Sequence, residues 1–181
     1  MPHYAYVRLA LGGLDGLEEV RSRAEGRHIE AIEGKPYCRV EWTDFEPPES
    51  WLRDISRVLG TDALWLAFQK QVDALAFQHW SGGELKRRLT YGIKHERVWE
   101  SADGVPEPWE ADVLFSPRAL ERRMKVLQLI DIAAEDKDRA IGDLKRVWSE
   151  RRIEVGTTEP NVSAGSAGPA IIRHYDLPEG S

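Results

Sequence analysis

Hydrophobic and polar positions alternate most cleanly over residues 63–100. Successive side chains along a strand point to opposite faces, so one face repeats every second residue. Over 64–69 one face carries Leu64, Leu66 and Phe68. Over 74–80 the matching set is Leu75, Phe77 and His79, and over 85–91 it is Leu85, Leu89 and Tyr91, with Arg87 out of pattern. This spacing predicts an antiparallel β-meander. Pairing Phe68 with Leu75, Leu66 with Phe77 and Leu64 with His79 puts both apolar sets on one face, and a slip of one residue would undo it. Ser81-Gly82-Gly83 predicts a three-residue hairpin loop, because glycine supplies the required positive φ without steric cost. The turn at residues 70–73 contains neither glycine nor proline.

The opposite face of these strands carries Trp65, Ala67 and Gln69, then Ala74, Ala76, Gln78 and Trp80, then Lys86, Arg88 and Thr90. Two readings fit it. One is a shallow recognition face, since Trp and Arg dominate binding hot spots. The other is a sheet face half covered by a helix with its polar rim in water, a common arrangement for antiparallel sheets.

Upstream, the periodicity predicts a strand over 4–11 closed by Gly12-Gly13, a helix over 14–24, and strands over 28–33 and 37–43. Pro47-Pro48 then opens a helix whose stripe is Trp51, Leu52, Ile55, Val58 and Leu59 and whose stop is Gly60. With 64–69 as the fourth strand, the order is β-α-β-β-α-β, which is ferredoxin-like. The alternative is an unclassified α+β fold with one antiparallel sheet and its helices on one face. Downstream, Ser101-Ala102-Asp103-Gly104 reads as a turn. Pro106 and Pro108 force extended backbone at Val105 and Glu107. That segment lays Trp109 across a neighbouring surface, either as a clamp over the Trp/Gln/Arg face or as a buried pin.

Ser116-Pro117 starts a helix running to Ala134, with Leu120, Met124, Leu127 and Ile130 on one side. Asp136-Lys137-Asp138 interrupts it, and a second helix over 138–151 carries Ile141, Leu144, Val147 and Trp148. These helices are expected to pack on the sheet or to mediate a homodimer. Residues 156–168 have linker composition. The expected organisation is one mainly antiparallel α+β domain over 1–154, with a flexible tail over 155–181. Within the domain, 1–69 form the ferredoxin-like unit, 70–115 the meander and Pro-Trp segment, and 116–154 the helical region.

A chain of 181 residues is long enough for one domain without staples. Its 31 acids against 25 bases give a net charge of −6, which argues against a surface that grips nucleic acid. Cys38 is the only cysteine, so no intramolecular disulfide and no cysteine zinc site can form. Its alternation with Val40 and Trp42 makes it an apolar filler. The N-terminus has no basic stretch followed by an apolar run, and no stretch approaches the ~20 apolar residues that span a bilayer. A cytoplasmic protein with no membrane partner is expected.

Catalytic signatures are missing: no G-x-x-x-x-G-K-[ST], G-x-G-x-x-G, H-E-x-x-H or G-x-S-x-G occurs. The five histidines include no pair at i, i+2 or i, i+4, so neither a metal site nor a cofactor is expected. The leading expectation is a non-enzymatic binding or regulatory protein. It would take a protein or small molecule at Trp65, Gln69, Gln78, Trp80, Arg88, Thr90 and Trp109. An acidic domain that neutralises a basic toxin is one concrete form of it. The enzyme alternative rests on the polar set Gln69, Asp73, Gln78, His79 and Arg88. A second alternative is a base-stacking sheet, with Lys86 and Arg88 beside Trp65 and Trp80. It is weakened by the absence of an RNP-type signature in residues 4–11 and 37–43.

Residues 63–110 contain, in order, Trp65, Phe68 and Gln69; Phe77 and Trp80; Arg87, Leu89, Tyr91 and Gly92; and Pro106-Glu107-Pro108-Trp109-Glu110. This W-x-x-F-Q, F-x-x-W, R-x-L-x-Y-G, P-E-P-W-E series resembles a group of uncharacterised small bacterial proteins. The resemblance covers about a quarter of the chain and implies no activity. It implies only that the meander and the Pro-Trp segment form one unit.

Overall fold

Helices cover both faces of one seven-stranded antiparallel sheet in the computed structural model, which describes residues 3–9, 14–69, 71–162 and 164–178. Ala10, Leu11, the Gly12-Gly13 break, Lys70 of the first meander turn and Ser163 lie outside the described residues. The first elements are β1 (His3–Arg8), α1 (Leu14–Arg23), β2 (Ile29–Ala31), β3 (Tyr37–Trp42), α2 (Glu49–Leu59) and β4 (Asp62–Gln69). Their strands lie in the order β2-β3-β1-β4, the ferredoxin-like arrangement. The strands β5 (Ala74–Ser81), β6 (Glu84–Tyr91) and β7 (Trp99–Gly104) continue the sheet as a meander. Four helices follow: α3 (Pro108–Val113), α4 (Pro117–Leu129), α5 (Ala134–Glu150) and α6 (Ala164–His174).

The period-two pattern sets the central register. Phe68 lies opposite Leu75, Leu66 opposite Phe77, and Leu64 opposite His79. Leu64, Leu66, Phe68, Leu75 and Phe77 pack with Tyr6, Leu89, Tyr91, Trp99 and Trp109 into a core beneath α3–α6. The other face supplies Ala5, Val7, Val40, Ala63, Trp65 and Ala67 to a second core beneath α1 and α2. Its alanines leave room for α2 to lie over β4 and β5. Cys38 is fully buried there, and burial pushes its thiol up to about 11, so it is an unreactive filler.

The β5–β6 connection is a two-residue turn, not a three-residue loop. Ser81 pairs with Glu84, and Gly82 and Gly83 both take positive φ (59° and 86°), the geometry that matches strand twist. The register then shifts between His79 and Trp80. Leu85 therefore lies opposite Trp80 and joins the α1/α2 core, while Arg87 lies opposite His79 on the apolar face. Residues 101–104 extend β7 rather than forming a turn. A Cβ on Gly104 (φ 87°) would overlap the Lys86 carbonyl.

Three other expectations change. The Pro-Trp segment is extended only as far as Glu107; Pro108 then opens α3, closed by a capping box between Glu107 and Glu110. The break between the long helices falls at residues 130–133, because Glu135 and Asp136 sit in the first turn of α5, where carboxylates suit the helix dipole. The tail is not a loose linker: Ala167, Ala170, Ile171 and Ile172 of α6, and Leu177 after it, are buried. Its small residues permit close packing, and Gly168 lies against the Phe68 ring.

Candidate functional site

The site is built where α2 begins above β5, β6 and β7. Gln78, Arg88 and Thr90 point to the α2 face from adjacent strands, because the register places Gln78 opposite Arg88 and Thr90 opposite Ser101. They line a cavity of about 420 Å³ together with Ala76 and Ser101. Phe45 and Pro47, from the loop before α2, form one wall, and Ile93 after β6 helps form another. Glu46, Glu49, Lys94 and Glu100 place charge around it.

A hydrogen-bonded chain holds the floor. Trp80 Nε1 donates to Gln78 Oε1 at 2.8 Å, and Gln78 Nε2 donates to Glu49 Oε1 at 2.8 Å. Arg88 Nη2 donates to Glu49 Oε2 at 2.7 Å, and its Nη1 lies 3.5 Å from Asp103 Oδ2. Glu49 is in the first turn of α2, where a carboxylate is favoured, and Pro48 at the N-cap offers no side-chain cap of its own. Ser101 Oγ donates to Thr90 Oγ1 at 2.8 Å. The Thr90 O–H is then free to donate to a guest. Across the opening, Glu100 Oε1 accepts the backbone N–H of Lys94 and, at 3.0 Å, that of His95. The cavity thus offers hydroxyls, an amide, both signs of charge and apolar walls.

Of the residues nominated from sequence, Gln78, Arg88 and Thr90 converge on this cavity. Trp65 and Trp80 do not face outward. They are 0% and 8% exposed, packed beneath the helical layer, so neither ring can stack a base or meet a partner. Trp109 lies on the other face, edge-on to Phe77 at 5.7 Å, so it is a buried pin and not a clamp. Gln69 is exposed at the end of β4 beside Ala74, outside the cavity. The enzyme set is therefore divided: Gln78 and Arg88 face α2, whereas His79 faces α3 and α6.

His79 belongs to a separate polar cluster under α3 and α6. Its Nδ1 lies 2.7 Å from Glu107 Oε1 and 3.0 Å from the Tyr175 hydroxyl. Tyr175 OH donates to Glu107 Oε2 at 2.6 Å, and Trp109 Nε1 donates to the same oxygen at 2.8 Å. His79 Nε2 is 3.4 Å from Asp62 Oδ1, which accepts the Ser81 hydroxyl at 2.7 Å. Burial pushes the His79 pKa down, but Glu107 and Asp62 outweigh it and the net shift is up. Burial likewise opposes ionisation of Glu107, yet His79 and Tyr175 hold its carboxyl below the ordinary range. Burial and the adjacent Glu107 carboxylate raise the Tyr175 phenol. Burial and then Asp62 push Tyr37 up to about 12. Since His79 Nε2 is sealed from solvent, the imidazole is a buried clasp and not an accessible base.

Sequence reasoning missed Phe45, Pro47, Glu49, Ile93 and Ser101. The Pro47-Pro48 helix start was a visible signal for the first wall. Ser101 needed the β7 register, which the turn reading of residues 101–104 hid. Among the described residues, no helix is long and apolar enough to cross a membrane. Compared with protein-family models, curated proteins and solved structures, the chain matches none.

Proposed function

We propose that this is a non-enzymatic binding protein that holds a small polar molecule in the cavity at the start of α2. One observation carries the reading: Gln78, Arg88 and Thr90 meet Ser101 in a recess of about 420 Å³ walled by Phe45, Pro47 and Ile93. Small-molecule sites are recesses of roughly 300–1,000 Å³ with a few convergent polar groups. Arg88 and Lys94 suit an anionic oxygen, Glu46 and Glu49 suit a donor, and Thr90 and Ser101 suit a hydroxyl or amide. The ligand class is a small molecule with an anionic group and a donor on a short apolar stem. Glu49 and Gln78 are already fixed by neighbours, which limits the ordering cost of binding. Burial of Trp65 and Trp80 weighs against a protein partner on this face. A cytoplasmic location fits the single buried thiol of Cys38.

The test is a thermal-shift screen against small anionic and zwitterionic metabolites, repeated on Thr90→Val and Lys94→Gln. A ligand at ~100 times its Kd stabilises by about 2.7 kcal/mol. At roughly 2–4 °C per kcal/mol this is a rise of about 5–11 °C. The rise should shrink in both variants while their unliganded Tm stays near wild type. A compound that shifts all three proteins equally binds elsewhere and overturns the assignment.

A further inference from the structure

Eight large apolar side chains are exposed among the described residues, and four of them, Val126, Leu129, Ile130 and Ile132, fall within seven positions at the α4–α5 junction. The others, Val58, Val72, Val105 and Val155, are scattered singly, which is ordinary for a soluble surface. Leu129 is 86% exposed, and α4 has no buried residue along its length. The helix is anchored at its start, where Trp148 Nε1 donates to the Ser116 carbonyl at 3.1 Å. Its far end carries an apolar tip that the other described residues leave exposed.

Charge is divided about that tip. Over residues 118–129, four cations against Glu121 leave +3; over residues 131–138, four acids against Lys137 leave −3. Arg118, Arg122, Lys125 and Leu129 follow i, i+4, i+7, i+11 spacing and share one face of α4. Among the described residues, Arg118, Arg122 and Lys125 stand in no ion pair, nor do Asp131, Glu135 and Asp138. Lys137 Nζ donates to the Gln128 carbonyl at 3.1 Å, which keeps the acidic segment beside the end of α4. The patch is therefore positive, apolar and negative in sequence.

We propose that this patch is a homodimer interface, occupied by the same patch of a second copy. A two-fold axis through an apolar centre lays each positive end on a negative end, which is the self-complementarity that an isologous contact needs. An anionic membrane or nucleic acid would attract the α4 ridge but would be repelled by the four acids beside the same tip. Its apolar centre is four side chains, few beside the roughly 20–30 residues a side of a standard interface, so a weak dimer, with Kd on the order of micromolar, is expected.

The experiment is sedimentation velocity of the full chain at rising concentration, up to roughly 100 μM, where a micromolar Kd gives mostly dimer. Wild type should move from the 20.6 kDa protomer toward twice that mass, less so at high salt. Leu129→Asp should weaken self-association at least about tenfold with Tm unchanged, since the side chain is exposed. Arg122→Glu should weaken it too, and adding Glu135→Lys should restore it. A wild type that stays monomeric, a Leu129→Asp protein that dimerises as before, or a charge pair that fails to rescue each overturns the proposal. A monomer that instead co-sediments with anionic phospholipid vesicles also overturns it and assigns the tip to lipid.

Discussion

Arg87 and Glu110 form an ion pair with side chains only 3% and 0% exposed, and removing one partner is expected to be severe. Arg87 Nε and Nη2 reach the two Glu110 oxygens at 2.8 and 2.7 Å. Its Nη1 donates to the carbonyls of Asp103 at 3.2 Å and Gly104 at 3.0 Å. Glu110 Oε1 also accepts the Glu107 N–H at 2.9 Å, which closes the start of α3. Taking away one member of a buried pair strands the other charge, at a cost of about 3–5 kcal/mol. We expect Arg87→Met and Glu110→Leu each to lose that much, a fall of roughly 6–20 °C in Tm at this chain length. The double variant strands no charge. It loses the hydrogen bonds of two carbonyls and one N–H, at about 1 kcal/mol each, or about 3 kcal/mol in all. Two independent losses would instead add to about 6–10 kcal/mol. Urea unfolding of the four proteins, followed by tryptophan fluorescence, measures the coupling directly. Single variants costing under about 1 kcal/mol, or costs that add within about 0.5 kcal/mol, would refute this account of how α3 is pinned to the sheet.

The His79 clasp predicts a pH profile. Its folded pKa is raised, so its contribution is complete below about 6.5 and is lost as pH rises through the folded value. Those of Glu107 and Asp62 are lowered, so their contributions are complete above roughly 4.3 and lost as pH falls through the folded values. The urea midpoint should therefore peak between about pH 4.5 and 6.5, and His79→Gln should flatten its alkaline decline; an unchanged decline would place the titration elsewhere. Truncation after Val155 removes the buried side chains of Val162, Ile171, Ile172 and Leu177. At about 1.5–3 kcal/mol each, the loss rivals the ~5–15 kcal/mol stability of a whole domain. The truncated chain should bind a hydrophobic dye and lose cooperative unfolding, and a sharp, near-native transition would contradict the packing of α6.

What was legible in the sequence was what neighbours in the chain decide. Leu64, Leu66 and Phe68 alternate because alternate strand residues share an environment, and that period specified the β4–β5 register. Helix starts at Pro47-Pro48 and Ser116-Pro117, and the order of the first six elements, are local in the same sense. Gln78, Arg88 and Thr90 could be placed on one face by counting in twos. The tertiary structure decided what covers that face. The alternation of Trp65 and Trp80 with small residues looks the same whether water or α2 lies above, since period two reports which residues share a side and not which side is wet. The bulge after His79 turned Leu85 over, while Arg87, on the apolar face by plain alternation, reaches Glu110, 23 residues away. Tyr175 joins His79 across 96 residues, and the walls of the cavity come from loops on either side of it in sequence. A residue's pairing across such distances depends on which surfaces fit when the layers close, and no local spacing carries that information.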